Sequence, residues 1–98
     1  MNEYMIIVQF RADVGGEFTS LIPAQRARVQ ALMEKGVLTS YSLSGDRKML
    51  WLTLLASSAE AADKTIRLLP LYKFMTYDVV ELLFHNVPVY SPLRMMMN

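Results

Sequence analysis

The chain has 98 residues, 53% of them hydrophobic, no cysteine and a formal net charge of +1. That length fits one domain with one core and little stability to spare, because such a chain buries only about 60–65% of its unfolded surface. Near-neutrality with scattered basic residues gives no electrostatic footprint for nucleic acid, and the lack of cysteine removes disulfides, thiolate zinc sites and cysteine nucleophiles together. The hydrophobic share exceeds the usual roughly 45–50%, an excess that a partner subunit would cover. The start, Met1-Asn2-Glu3-Tyr4, lacks the basic region and long apolar stretch of a signal peptide. No run approaches the ~18 apolar residues of a membrane span. These features predict a cytoplasmic protein, a single domain over residues 1–98, and no membrane or nucleic-acid partner.

Residues 4–10 (YMIIVQF) are apolar on both alternations, as in a strand covered on two sides. Residues 11–18 contain Gly15-Gly16 and read as a loop; without a following Gly-Lys-Ser or a dinucleotide fingerprint the glycines are no phosphate cradle. A helix is predicted over 20–35, capped by Thr19 or Ser20, with Pro23 tolerated in the first turn and Gly36 ending it. Ile22, Val29, Leu32 and Met33 make its apolar stripe.

Residues 38–44 alternate as a half-exposed strand, 45–48 form a turn, and 49–56 (MLWLTLLA) return as its hairpin partner. Ser57 and Glu60 have capping-box spacing and open a second helix that runs to about Leu69, with Ala59, Ala62, Ile66 and Leu69 facing the core. Pro70 stops it. Residues 77–84 form the last strand and 86–98 a loosely ordered tail with Met95–Met97 near its end.

The order β-α-β-β-α-β predicts an α+β, ferredoxin-like fold: a four-stranded antiparallel sheet with two helices on one face. The other face would be left bare and apolar, a hazard in a monomer. Packing two such sheets face to face covers both, which predicts a homodimer of the dimeric α+β barrel type. Assembly of dimers into a higher oligomer is compatible with the same pattern.

His85 is the only histidine. With no second histidine and no cysteine, no metal site is expected. At a strand end His85 is either a hydrogen-bonded structural residue or a general acid–base group. Glu81 shares strand parity with Tyr77, Val79 and His85, so these are expected on one sheet face. It is then a raised-pKa base, half of an ion pair, or a solvated rim carboxylate. Asp78 has the opposite parity and is expected in water. Gln25 and Arg26 interrupt the inward stripe of the first helix. Arg26 could grip a ligand carboxylate with two parallel hydrogen bonds, or run its head out to the helix edge. Arg28 lies off the stripe and is expected in solvent. Tyr41 and Trp51 are apolar filling or pocket walls, and Ser40, Ser42 and Ser44 form a polar row on one strand face.

The series Leu69-Pro70-Leu71, Met75, Val79, Leu82 and His85 resembles the muconolactone isomerase family, whose C-terminal segment keeps these spacings. Gly36, Ser58, Glu60, Ala61 and Thr65 fall in the same register, so the resemblance covers about half the chain. It departs where the family's Glu-Lys pair on the first helix falls on Gln25-Arg26, and where the family's His-Pro is here His85-Asn86-Val87-Pro88. The resemblance implies the dimeric barrel and, for activity, a cofactor-independent isomerase that moves a proton between carbons of an unsaturated lactone or related carboxylate. In that reading Arg26 and Gln25 hold the small-molecule substrate, Glu81 or His85 shuttles the proton, and Tyr41 and Trp51 wall the pocket. The alternatives are a homodimer that binds a small ligand without chemistry, and a purely structural one.

Overall fold

The computed structural model describes residues 1–12 and 15–86. Its elements are β1 (Asn2–Phe10), α1 (Gly16–Glu34), β2 (Leu38–Leu43), β3 (Met49–Ala56), α2 (Ala59–Arg67), a 3-10 turn (Tyr72–Phe74) and β4 (Met75–Glu81). The four strands form one sheet in the order β2-β3-β1-β4, and every neighbouring pair is antiparallel. This is the ferredoxin-like α+β arrangement expected from the sequence.

Register explains which side of the sheet is buried. Ile6 lies between Leu52 and Val79, and Val8 between Leu50 and Tyr77; Tyr4, Ile6, Val8, Leu50, Leu52 and Leu54 are all at most 2% exposed. Each such side chain contributes about 1.5–3 kcal/mol by leaving water. Both helices cover this face. Gln25 of α1 bonds the hydroxyl of Tyr41, which sits opposite Leu52. Asp63 of α2 accepts from the hydroxyl of Tyr77, opposite Val8. The two tyrosines therefore report one helix-covered face. The other face carries Met5 and Ile7 from β1, Trp51 and Leu55 from β3 and Val80 from β4, interleaved with Glu3, Gln9, Ser40, Ser42, Thr53, Thr76 and Asp78. Trp51 and Val80 there are 37% and 43% exposed.

Local chemistry moves several expected boundaries. α1 begins at Gly16, without a side-chain cap, so Pro23 stands inside the helix rather than in its first turn. Its inward stripe is narrower than predicted: Gln25, Val29 and Leu32 are buried, whereas Met33 and Arg26 are exposed. Arg28, expected in solvent, is half-buried, and its Nε is shielded without a hydrogen-bond partner. The helix ends in a Schellman turn. Gly36, at φ +73°, donates to Met33, and Val37 donates to Leu32.

α2 is capped by Ser58 rather than Ser57: its hydroxyl accepts from the Ala61 N–H at 3.1 Å. Ala62, Ile66 and Leu69 face the core as expected, while Ala59 is exposed. β4 stops at Glu81, three residues before the predicted end. Leu82 adds one more bond, to the Glu3 carbonyl, and the chain then bends at Leu83. The tail from Val87 onward, with Met95–Met97, lies outside the described residues. Among the described residues no helix is long and apolar enough to cross a membrane.

Candidate functional site

The early end of β4 separates the two residues expected to act together. Glu81 pairs with Tyr4 and stays on the helix-covered side, where one of its oxygens, Oε1, accepts from the Tyr4 hydroxyl and the Asn2 side-chain amide, each at 3.0 Å. Burial and the adjacent Glu81 carboxylate push the Tyr4 hydroxyl above its ordinary pKa. His85 follows the bend and reaches the other side, where its Nδ1 lies 3.2 Å from Oε2 of Glu3. The shared face predicted for Glu81 and His85 is thus corrected: strand parity holds only while the strand lasts.

Glu3 is the hub of a polar cluster on this open face. It is in phase with Met5 and Ile7 along β1, so its side chain leaves the core. Across the sheet, Leu38 pairs with Leu54 while Ser40 pairs with Thr53, which leaves Thr39 as the extra residue of a β-bulge. In a regular strand Thr39 and Ser40 would point to opposite faces. The bulge turns both to the same side, and both hydroxyls reach Oγ1 of Thr53, at 2.6 and 2.5 Å. Thr53 is 0% exposed despite facing away from the helices. Thr39 also donates to Oε2 of Glu3 at 2.5 Å, the same oxygen that meets His85.

Proton counting fixes the direction of this chain. A hydroxyl has one hydrogen to give, and an ionised carboxylate only accepts. Thr39 spends its hydrogen on Glu3, so Thr53 must donate to Thr39 and Ser40 to Thr53. The Thr39 hydroxyl is the main reason the Glu3 carboxyl sits below its ordinary pKa; desolvation opposes the shift and His85 adds to it. The Glu3 and His85 side chains are 21% and 27% exposed. A carboxylate–imidazole pair of this kind can hold, accept and release a proton.

The other expected site residues fall elsewhere. Gln25 is 3% exposed; its Nε2 donates to the Tyr41 hydroxyl at 3.2 Å, and its Oε1 accepts from the Leu71 N–H at 3.1 Å. Burial raises the Tyr41 pKa, with the Gln25 bond opposing. Both side chains therefore tie α1 to β2 and to the segment after α2. Arg26 is exposed on α1, and among the described residues no hydrogen bond or ion pair joins it to Glu81 or His85. Trp51 shares the open face with Glu3 and Thr53, on the side of the sheet away from Tyr41, so these two aromatics do not wall one pocket.

A shallow groove of about 440 Å³ lies on the opposite side of the sheet from this cluster, lined by Ala59, Glu60, Asp63, Lys64, Arg67 and Val79. Within it Asp63 is held by Tyr77 and by Arg67. Burial and this carboxylate push the Tyr77 hydroxyl strongly upward. Among the described residues no group of three or more His, Asp or Glu is placed to hold a metal ion.

Glu3, Thr39 and Thr53 are not among the residues that sequence patterning singles out. Two of them carry a signal: Glu3 is in phase with Met5 and Ile7, and Thr53 is the one polar residue in MLWLTLLA.

The architecture and this open sheet face define the ferredoxin-like α+β class. Within that class the chain shares its fold with a crystal structure of muconolactone isomerase, at a TM-score of 0.67 and 18% sequence identity over 91% of this chain and 96% of that one. No family model and no curated protein matches the sequence.

Proposed function

We propose that the protein is an isomerase-like, cofactor-independent cytoplasmic enzyme that works as a homodimer. It moves a proton between carbons of an unsaturated lactone or related carboxylate. The observation that carries this reading is the His85–Glu3 pair, set at the margin of a sheet face that also bears Met5, Ile7, Trp51, Leu55 and Val80. A second copy laid on that face would cover the apolar side chains and shut water out around the pair, strengthening its electrostatics. His85 is then the proton shuttle and Trp51 the apolar wall against the substrate ring. The shared fold with muconolactone isomerase supports the scaffold; at this identity the chemistry rests on the residues themselves. His85→Ala should lower turnover of an unsaturated lactone by about 10²–10⁴-fold, the usual worth of a general acid–base group. Full activity in that variant would sink the assignment. Glu81→Ala, made in parallel, measures the contribution of the carboxylate that lies on the helix side.

One observation favours a second reading, a dimer that binds such a ligand without converting it. Gln25, where the resembled family places a carboxylate, spends both ends of its amide inside the fold, and Arg26 lies apart from His85. A lactone that raises the melting temperature and is recovered unchanged would establish that alternative.

A further inference from the structure

The proposed proton shuttle needs one ring nitrogen of His85 free of hydrogen and the other held, and the cluster around Glu3 supplies what that requires. We propose that Glu3 and Thr39 are positioning residues for His85: the bulge at Thr39 polarises a hydroxyl chain toward Oε2 of Glu3, and Glu3 in turn holds the imidazole proton on Nδ1, leaving Nε2 as the basic nitrogen.

Three features of the geometry support this. The hydroxyl of Thr39 and Nδ1 of His85 converge on the same oxygen, Oε2 of Glu3, at 2.5 and 3.2 Å. All the hydroxyl hydrogens run one way, from Ser40 to Thr53 to Thr39 to Glu3, so every O–H dipole in the chain favours a negative charge on Glu3. An ionised Glu3 offers only lone pairs, so Nδ1 must carry the hydrogen at that contact, and the hydrogen on one ring nitrogen decides which nitrogen is the base. The bulge is the structural cause. Without the extra residue one of the two neighbouring hydroxyls, Thr39 or Ser40, would point to the helix side and the chain that ends on Glu3 would be broken. Bulges that re-aim a side chain in this way recur beside active sites.

The inference rests on the isomerase reading for its purpose, but its test does not depend on turnover. His85 is the only histidine, so long-range proton–nitrogen NMR spectra of the tag-free, nitrogen-15-labelled protein report one imidazole. With the pH raised until the spectra show the ring to be neutral, the wild type should show Nδ1 protonated and Nε2 bare. Glu3→Ala should abolish this single-tautomer signature and return the ring to a mixture. Thr39→Val should weaken it, and Thr39→Ser, which keeps the hydroxyl, should restore it. Circular dichroism checks that each variant is folded, and Thr53→Val provides a second break in the same chain if Thr39→Val is not. A wild-type His85 carrying its hydrogen on Nε2, or a Glu3→Ala spectrum identical to wild type, overturns the proposal. So does a folded Thr39→Val, or the folded Thr53→Val used in its place, that leaves the wild-type signature unweakened, or a Thr39→Ser that does not restore it. If the tautomer is locked and no lactone turns over, the positioning stands and the isomerase reading fails; turnover with an unlocked ring gives the reverse.

Discussion

The side-chain amide of Gln25 donates to the hydroxyl of Tyr41 while its oxygen takes the N–H of Leu71, 46 residues along the chain. One buried group thus joins α1, β2 and the turn after α2. Removing it leaves a buried backbone N–H and a half-buried phenol without their partner. An unsatisfied buried donor costs about 1–3 kcal/mol. Gln25→Leu should therefore destabilise the protein by roughly that amount in urea unfolding. Tyr41→Phe leaves the buried Nε2 donor without its acceptor but keeps the Leu71 bond, so it should cost less, at the lower end of that range, about 1 kcal/mol. Equal losses would show that the Leu71 bond contributes little.

The same residue shows how far the sequence could be read. Helical spacing places Gln25 on the inward stripe, and it is there; a substrate-holding role for it is what the family resemblance implies. Its actual partner, a backbone N–H after α2, depends on how the returning chain packs, which no local pattern encodes. The fold was legible because periodicity, turn residues and Pro70 all agree on the element order. The site was legible in part. His85 stood out by being alone, but its partner Glu3 is 82 residues away, and their meeting depends on where β4 stops. The bulge at Thr39 is invisible to alternation, since it is a break in alternation. Arg26 falls on the inward stripe by its helical spacing from Ile22, yet the buried face is narrower, and the step of about 100° from Gln25 carries Arg26 out of it.

The caps of α2 offer a direct test of a one-residue difference. Sequence spacing favoured Ser57, whereas the structure gives the cap to Ser58, whose Oγ takes the N–H of Ala61. Ser58→Ala should lower stability by about 0.5–2 kcal/mol, the usual cost of a lost N-cap. Ser57→Ala, at an exposed position, should stay within about 0.5 kcal/mol. Thermal or urea unfolding of the two variants side by side distinguishes them.

Two carboxylates govern the acid side of the stability profile. Glu3 is held below its ordinary pKa chiefly by Thr39, and Asp63 by Tyr77 and then Arg67. A group whose folded pKa is depressed binds protons less readily folded than unfolded. Its contribution is fully present above the unfolded carboxylate value of about 4, and is lost as pH falls through the lower folded value. Stability should therefore decline across and below that range. Asp63→Asn and Glu3→Gln should each be less stable than wild type at neutral pH and show a shallower acid decline. Urea midpoints measured from neutral pH down to about pH 3 check this; a Glu3→Gln profile parallel to wild type would remove Glu3 from the account.

On the open face, Ile7 stands between Trp51 of β3 and Asp78 of β4. Two sheets packed face to face lie about 10 Å apart, so side chains at the centre of each must interdigitate. Ile7→Lys would bring a charge into that layer, where an ammonium is costly unless paired. Within one chain the change is mild, because Asp78 is directly opposite on β4 and a cross-strand pair of opposite charge is favourable by roughly 0.2–1 kcal/mol. In a face-to-face dimer the same lysine would face the apolar residues of the other sheet. The wild type should sediment as a dimer and Ile7→Lys as a folded monomer, with far-ultraviolet circular dichroism unchanged. Trp51 is the internal reporter: as the only tryptophan, its fluorescence should shift to the red when the covering sheet leaves. A monomeric wild type, or a variant that remains dimeric with a blue-shifted Trp51, would show that this face is not where two copies meet. In that case the His85–Glu3 pair would work in contact with water rather than in a closed barrel.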